Sequence, residues 1–197
     1  MGGNYGRKNR QSAKERKLKE VAYHEAGHAV AAVVYGQSFR YLTIRPDKEE
    51  GTLGHVTYPG LSKGLRESLE FRKPTDKQRM DMERHVITSF AGGQAQARLR
   101  GRHDHVGARG DYESAATFAV RIVGSGKPLD TFLTYAVACA EHCVKNNWKH
   151  ICKVAAAVLA HPRHRLSQRE VKELMYGPKA TLSKTGKWTI PPLPRDS

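Results

Sequence analysis

Two histidines and a glutamate stand in the run His24-Glu25-Ala26-Gly27-His28, inside an apolar stretch from Val21 to Val34. No other segment limits the possible folds as strongly. The flanks, Val21-Ala22-Tyr23 and Ala29 through Tyr35, hold no proline and no charge, and Gly36 supplies a stop, so the stretch reads as one helix. A helix apolar almost all round is buried. Imidazoles and a carboxylate buried without partners are costly, so the motif requires something that satisfies them. Side chains four apart on a helix lie one above the other, which lets His24 and His28 offer two nitrogens to one Zn²⁺ while Glu25, one step round, faces a water. Zinc lowers the pKa of a bound water from about 15.7 to about 7, and a neighbouring carboxylate can take the proton. The pattern predicts metal-assisted hydrolysis with His24 and His28 as ligands and Glu25 as general base.

A catalytic zinc site keeps three protein ligands and one open position. The metzincin continuation requires Gly at 31 and His at 34, where this chain has Ala31 and Val34. The remaining candidates are Asp81, Glu83, His85, His103, Asp104, His105, Asp111 and Glu113, and spacing alone does not choose among them.

Around the motif, periodicity predicts a mainly helical domain. The first helix is expected from Ser12 or Ala13 to Tyr35, after a basic, disordered arm over 1–12. Residues 39–45 (Phe-Arg-Tyr-Leu-Thr-Ile-Arg) alternate with period two and end at Pro46, and 54–58 (Gly-His-Val-Thr-Tyr) read as a second strand, so a two-stranded ribbon is expected. Residues 61–73 read as a charged loop. Thr75 or Asp76 caps a helix to about Leu99, with Met80, Val86, Ile87, Phe90 and Ala91 as its apolar face. After a loop over 101–110, helices follow over 112–123, 129–148 and 149–160, and Ser167-Gln168-Arg169-Glu170 forms a capping box that opens a last helix to Met175. About six helices therefore form one domain over 13–176, followed by a proline-containing tail over 177–197.

Composition bounds the rest. The 197 residues are 39% hydrophobic, enough for one core, and contain no apolar run near the roughly 20 residues of a membrane span. The three cysteines include no CxxC pair, which argues for a reducing compartment and, with no signal-type start, for a cytoplasmic location. Cys139, His142, Cys143 and Cys152 read as packing residues in helices, and His161 and His164 as part of a solvated basic turn. The net charge of +15 attracts anionic partners, but the basic residues are dispersed and no stacking aromatics are interleaved, so nucleic acid is possible and not favoured. The runs 124–127 and 185–187 lack the remaining residues of a P-loop, so no ATP step is expected.

Several blocks in order resemble the peptidase domain of the FtsH-type ATP-dependent zinc metalloproteases. They are Val21 through Val30, Leu42-Thr43-Ile44-Arg45-Pro46, Gly54-His55-Val56-Thr57, Ala91-Gly92-Gly93-Gln94-Ala95, Gly107 through Ala116, and Leu166 through Val171. The resemblance spans about 18–175. It implies that Asp111 is the third zinc ligand, and that a strand carrying Gly54, His55, Val56 and Thr57 offers an edge to an extended polypeptide. It also implies possible assembly with a homo-oligomer or a separate unfoldase. The chain departs from the family at Gln94 and Gly110, which stand for the usual Arg and Asn, and in a shortened segment after Val123. His103 and His105 are further candidates for polarising a substrate carbonyl. The expectation is thus an FtsH-like zinc endopeptidase acting on loosely structured polypeptides without ATP of its own; the alternative is a non-catalytic peptidase-like binder of nucleic acid or an acidic partner.

Overall fold

In a computed structural model the chain is described for residues 3–46 (backbone only for 3–11), 53–58, 74–101 and 109–178. Six helices and three strands among these residues run in the order α1 (Gly3–Val34), β1 (Tyr41–Thr43), β2 (His55–Thr57), α2 (Asp76–Arg100), α3 (Arg109–Val123), α4 (Lys127–Asn146), α5 (Trp148–Ala160), β3 (Arg165–Ser167) and α6 (Gln168–Tyr176). The protein is mainly helical, as the periodicity predicts. The expected loop over 61–73, the histidines 103 and 105, and the tail beyond 178 lie outside the described residues.

The first departure is the start of α1, at Gly3 rather than Ser12 or Ala13. Upstream of the buried stretch, residues 7–20 are dominated by Arg, Lys and Glu, with Gln11, Ala13 and Leu18 among them, and there is no proline. These are intrinsic helix formers, and extending an existing helix avoids the cost of a new nucleus. The expected boundary at residue 12 therefore falls inside a continuous helix. At α2 Thr75 is the cap, and with Gln78 it closes a full capping box that the sequence reading did not include: Thr75 Oγ1 accepts from the Gln78 amide while Gln78 Oε1 accepts from the Thr75 amide. Ser167 and Glu170 form the same device at α6.

The second departure is the sheet. β1 pairs antiparallel with β2, Leu42 opposite Val56, and on its other side with β3, Leu42 opposite Leu166, giving three strands in the order β2-β1-β3. The two-stranded ribbon was incomplete because β3 has three residues, of which only Leu166 is buried. So short a strand shows no readable alternation. Tertiary contacts hold it in place: the His164 carbonyl accepts from the Ile44 amide and from Thr43 Oγ1, each at 3.1 Å.

A third departure concerns the face of α2. Met80 is exposed and Met82 fully buried, because the buried stripe runs through Met82, Val86, Ala91 and Ala95. This stripe meets α1 at close quarters. A Cβ at Gly27 would lie 2.6 Å from the Ala91 carbonyl oxygen and 2.7 Å from Ala95 Cβ. Glycine and the fully buried Ala22, Ala26 and Ala29 thus let the two backbones approach. Helix α5 packs on α1, while α3 and α4 pack on α2. The motif of α1 is thereby enclosed by α2, α3 and the sheet.

Candidate metal centre

One turn of α1 separates His24 from His28, and their Nε2 atoms lie 3.0 Å apart. Asp111 enters from the first turn of α3, with Oδ2 3.0 Å from His24 Nε2 and 3.4 Å from His28 Nε2. Three ligands at about 2.0–2.1 Å around a tetrahedral ion stand about 3.3 Å from one another. The observed triangle has those dimensions. Among the described residues, His24, His28 and Asp111 are the group of ligating side chains able to share one metal ion.

The outer nitrogens decide what the inner ones offer. His28 Nδ1 lies 2.8 Å from the Thr88 carbonyl oxygen, which can only accept, so Nδ1 carries the proton. His24 Nδ1 lies 3.2 Å from Gln96 Oε1 and donates in the same way. When neutral, each ring therefore turns an Nε2 lone pair toward the Asp111 carboxylate. Three acceptors facing one another require a cation between them. Without a metal a proton meets part of this need: burial lowers the His28 pKa, but the Asp111 carboxylate, Glu25 and the Thr88 carbonyl outweigh it and hold the imidazole at about 9. Burial likewise opposes ionisation of Asp111, yet His28 and His24 keep its carboxyl well below the ordinary range.

Room for the rings comes from glycine. A Cβ on Gly92 would overlap the His28 imidazole, 2.6 Å from Cε1, so α2 can lie against that ring only with glycine at this position. Thr88, Gly92 and Gln96 are spaced by four and form one stripe beneath the two histidines. Sequence reading missed this stripe. The signal available to it was a period-four set of small or polar residues among the apolar and small positions between Val86 and Ala97.

Glu25 is buried beside the triangle. Burial raises its pKa, and the nearby His24 and His28 act in the opposite direction. Above it β2 begins: a Cβ on Gly54 would lie 2.8 Å from the Thr43 carbonyl oxygen and 3.1 Å from Glu25 Cγ. Gly54 therefore sets the strand directly on the general-base candidate.

These parts line a cleft of ≈ 600 Å³, within the roughly 300–1,000 Å³ typical of ligand sites. Its walls include His24, Glu25 and His28 of α1, His85, Ser89 and Gln96 of α2, Asp111 and Ser114 of α3, and Gly54, His55, Val56 and Tyr58 around β2. Of the four strand candidates, Thr57 is not part of the lining; it pairs with Tyr41, and its hydroxyl is buried with no partner among the described residues. The other described third-ligand candidates are engaged elsewhere or stand aside. Asp81 pairs with Arg84, Glu83 accepts from the Tyr135 hydroxyl and Glu113 pairs with Arg109. His85 lies in the cleft wall, its ring edge-on to Phe118 at 4.5 Å between centroids. Burial holds its pKa down at about 4, so at neutral pH it carries no charge.

The chain matches no protein-family model and no curated protein. The chemistry of the cleft therefore rests on its own geometry.

Proposed function

We propose that this chain is a zinc-dependent endopeptidase of FtsH-like type that hydrolyses loosely structured polypeptides, with no nucleotide used at the metal centre. One observation carries the reading: two imidazole lone pairs and a carboxylate oxygen converge within 3.0–3.4 Å of one another, beside a buried glutamate. His24, His28 and Asp111 would hold the ion. Bound zinc supplies Lewis acidity, which brings the pKa of water to about 7 and polarises a carbonyl.

The remaining steps belong to the protein. Glu25 takes the proton of the attacking water and returns it to the amine that leaves when the C–N bond breaks. Its raised affinity for a proton suits both halves of that exchange. Gln96 and the Thr88 carbonyl keep Nδ1 of each histidine protonated and the rings aimed. β2 is an outer strand of the sheet, with β1 on one side and no strand paired to the other among the described residues. An extended polypeptide can add to that edge through main-chain hydrogen bonds, which gives low sequence selectivity. An edge suits a segment already unfolded.

No helix among the described residues is long and apolar enough to cross a membrane. The test is digestion of denatured casein by zinc-loaded wild type and Glu25→Gln. The reading predicts cleavage by the wild type, a fall of about 10²–10⁴-fold in the variant, and equal zinc content in both. Equal cleavage by both proteins would contradict it.

A further inference from the structure

Tyr58 is the cleft residue for which the metal-binding framework has no use. It follows β2 directly and lines the same cavity as His24, Glu25, His28 and Asp111. Its ring is fixed: it meets the His85 imidazole edge to face at 5.5 Å between centroids, and His85 is in turn held against Phe118. Among the described residues its hydroxyl makes no hydrogen bond, and the half-buried side chain faces the cleft. Burial, then Glu25, then Asp111 push its pKa upward, so the phenol stands close enough to both carboxylates to feel them and keeps its proton. A protonated O–H, held in place and without an internal acceptor, is a donor prepared for a ligand.

We infer that Tyr58 is a catalytic residue that donates its hydroxyl hydrogen bond to the peptide carbonyl oxygen as that oxygen gains negative charge. The inference rests on the proposed peptidase reading. Charge develops opposite the general base, and Tyr58 approaches from the strand side while Glu25 approaches from α1. No bond to the phenol breaks; the proton remains on Tyr58, and the only proton that moves is the one carried by Glu25. A donor aimed at a developing oxyanion contributes more in the transition state than in the ground state. His85 is less suited to the task because its Nε2 already lies 3.5 Å from Ser114 Oγ and its ring is wedged between Tyr58 and Phe118. His85 positions the tyrosine.

The test compares wild type with Tyr58→Phe, which retains the ring that packs on His85. An oligo-alanine hexapeptide whose central amide is replaced by a phosphinate serves as a tetrahedral anionic probe, with the unmodified hexapeptide as control. Calorimetric titration of the zinc-loaded proteins is expected to show at least tenfold weaker phosphinate binding in Tyr58→Phe, with unmodified peptide affinity within twofold and zinc content unchanged. On casein, kcat is expected to fall about 10²–10³-fold with KM nearly constant. Phosphinate bound equally by both proteins, or by neither, overturns the assignment. Casein cleavage with equal phosphinate affinities would remove Tyr58 and leave the peptidase; discrimination of the phosphinate without casein cleavage would retain the donor and remove the peptidase.

Discussion

The helical wall of the cleft and the strand wall differ in how their polar atoms are satisfied. On the helical side the outer nitrogen of each motif histidine has an acceptor, Gln96 or the Thr88 carbonyl, and the inner nitrogens converge with Asp111 on one point that a single ion would complete. On the strand side His55 Nδ1 is buried without a partner among the described residues, and the hydroxyl of the half-buried Tyr58 makes no hydrogen bond there. Buried polar groups are paired in folded proteins, and each exception calls for an explanation. The contrast teaches a division of labour. On the proposed reading the helical wall would hold an ion, and the strand wall would receive a bound chain that brings its own donors and acceptors.

The comparison breaks most visibly at Glu25, which belongs to the helical wall but, on the proposed reading, would act on a chain held at the strand wall. Glu25→Gln is isosteric and leaves the three ligands intact, so casein cleavage should fall by about 10²–10⁴-fold while metal analysis shows no change. Loss of zinc along with activity would make Glu25 part of the framework and erase the division.

A second test lies at the seam, where His85 of α2 touches Tyr58. Its folded-state pKa of about 4 lies below the ordinary 6.5. The unfolded chain therefore binds the proton first, and stability that is complete above pH 6.5 is lost as pH falls toward 4. The loss attributable to this group is on the order of 3 kcal/mol at pH 4. Denaturant unfolding at pH 7 and pH 4.5 should show a smaller acid loss in His85→Gln than in the wild type. Equal losses would mean that the seam is open to water.

The smallest effect tests the outer partners. Gln96→Ala removes the acceptor of His24 Nδ1 and should weaken zinc affinity about 10–100-fold, the usual range for such changes. A competition titration with a zinc chelator reads it. Unchanged affinity would show that Gln96 does not orient the ring.

Local signals carried the helical wall. The i, i+4 spacing of His24 and His28, the apolar flanks and the Ser167–Glu170 capping box depend on neighbours within one or two turns, and all three read directly from the sequence. Asp111 was one of eight candidates on spacing, because its approach depends on how α3 packs on α2. The strand wall was less legible. β3 is held by bonds from Thr43 and Ile44 to His164, more than a hundred residues away in the chain, and three residues cannot display a period. Gly92 and Gly54 were visible as letters, but their use lies in a His28 ring and a Glu25 methylene that only the fold brings to them. Tyr58 looked like the end of a strand until His85 was beside it.

The central claim is that His24, His28 and Asp111 share one ion. Metal analysis of wild type and Asp111→Ala, each dialysed against limiting zinc, tests it most directly. The triangle of 3.0, 3.0 and 3.4 Å predicts about one zinc per chain in the wild type and a stoichiometry near zero in the variant under the same conditions. A wild type that holds no zinc, or a variant that holds as much as the wild type, would contradict it.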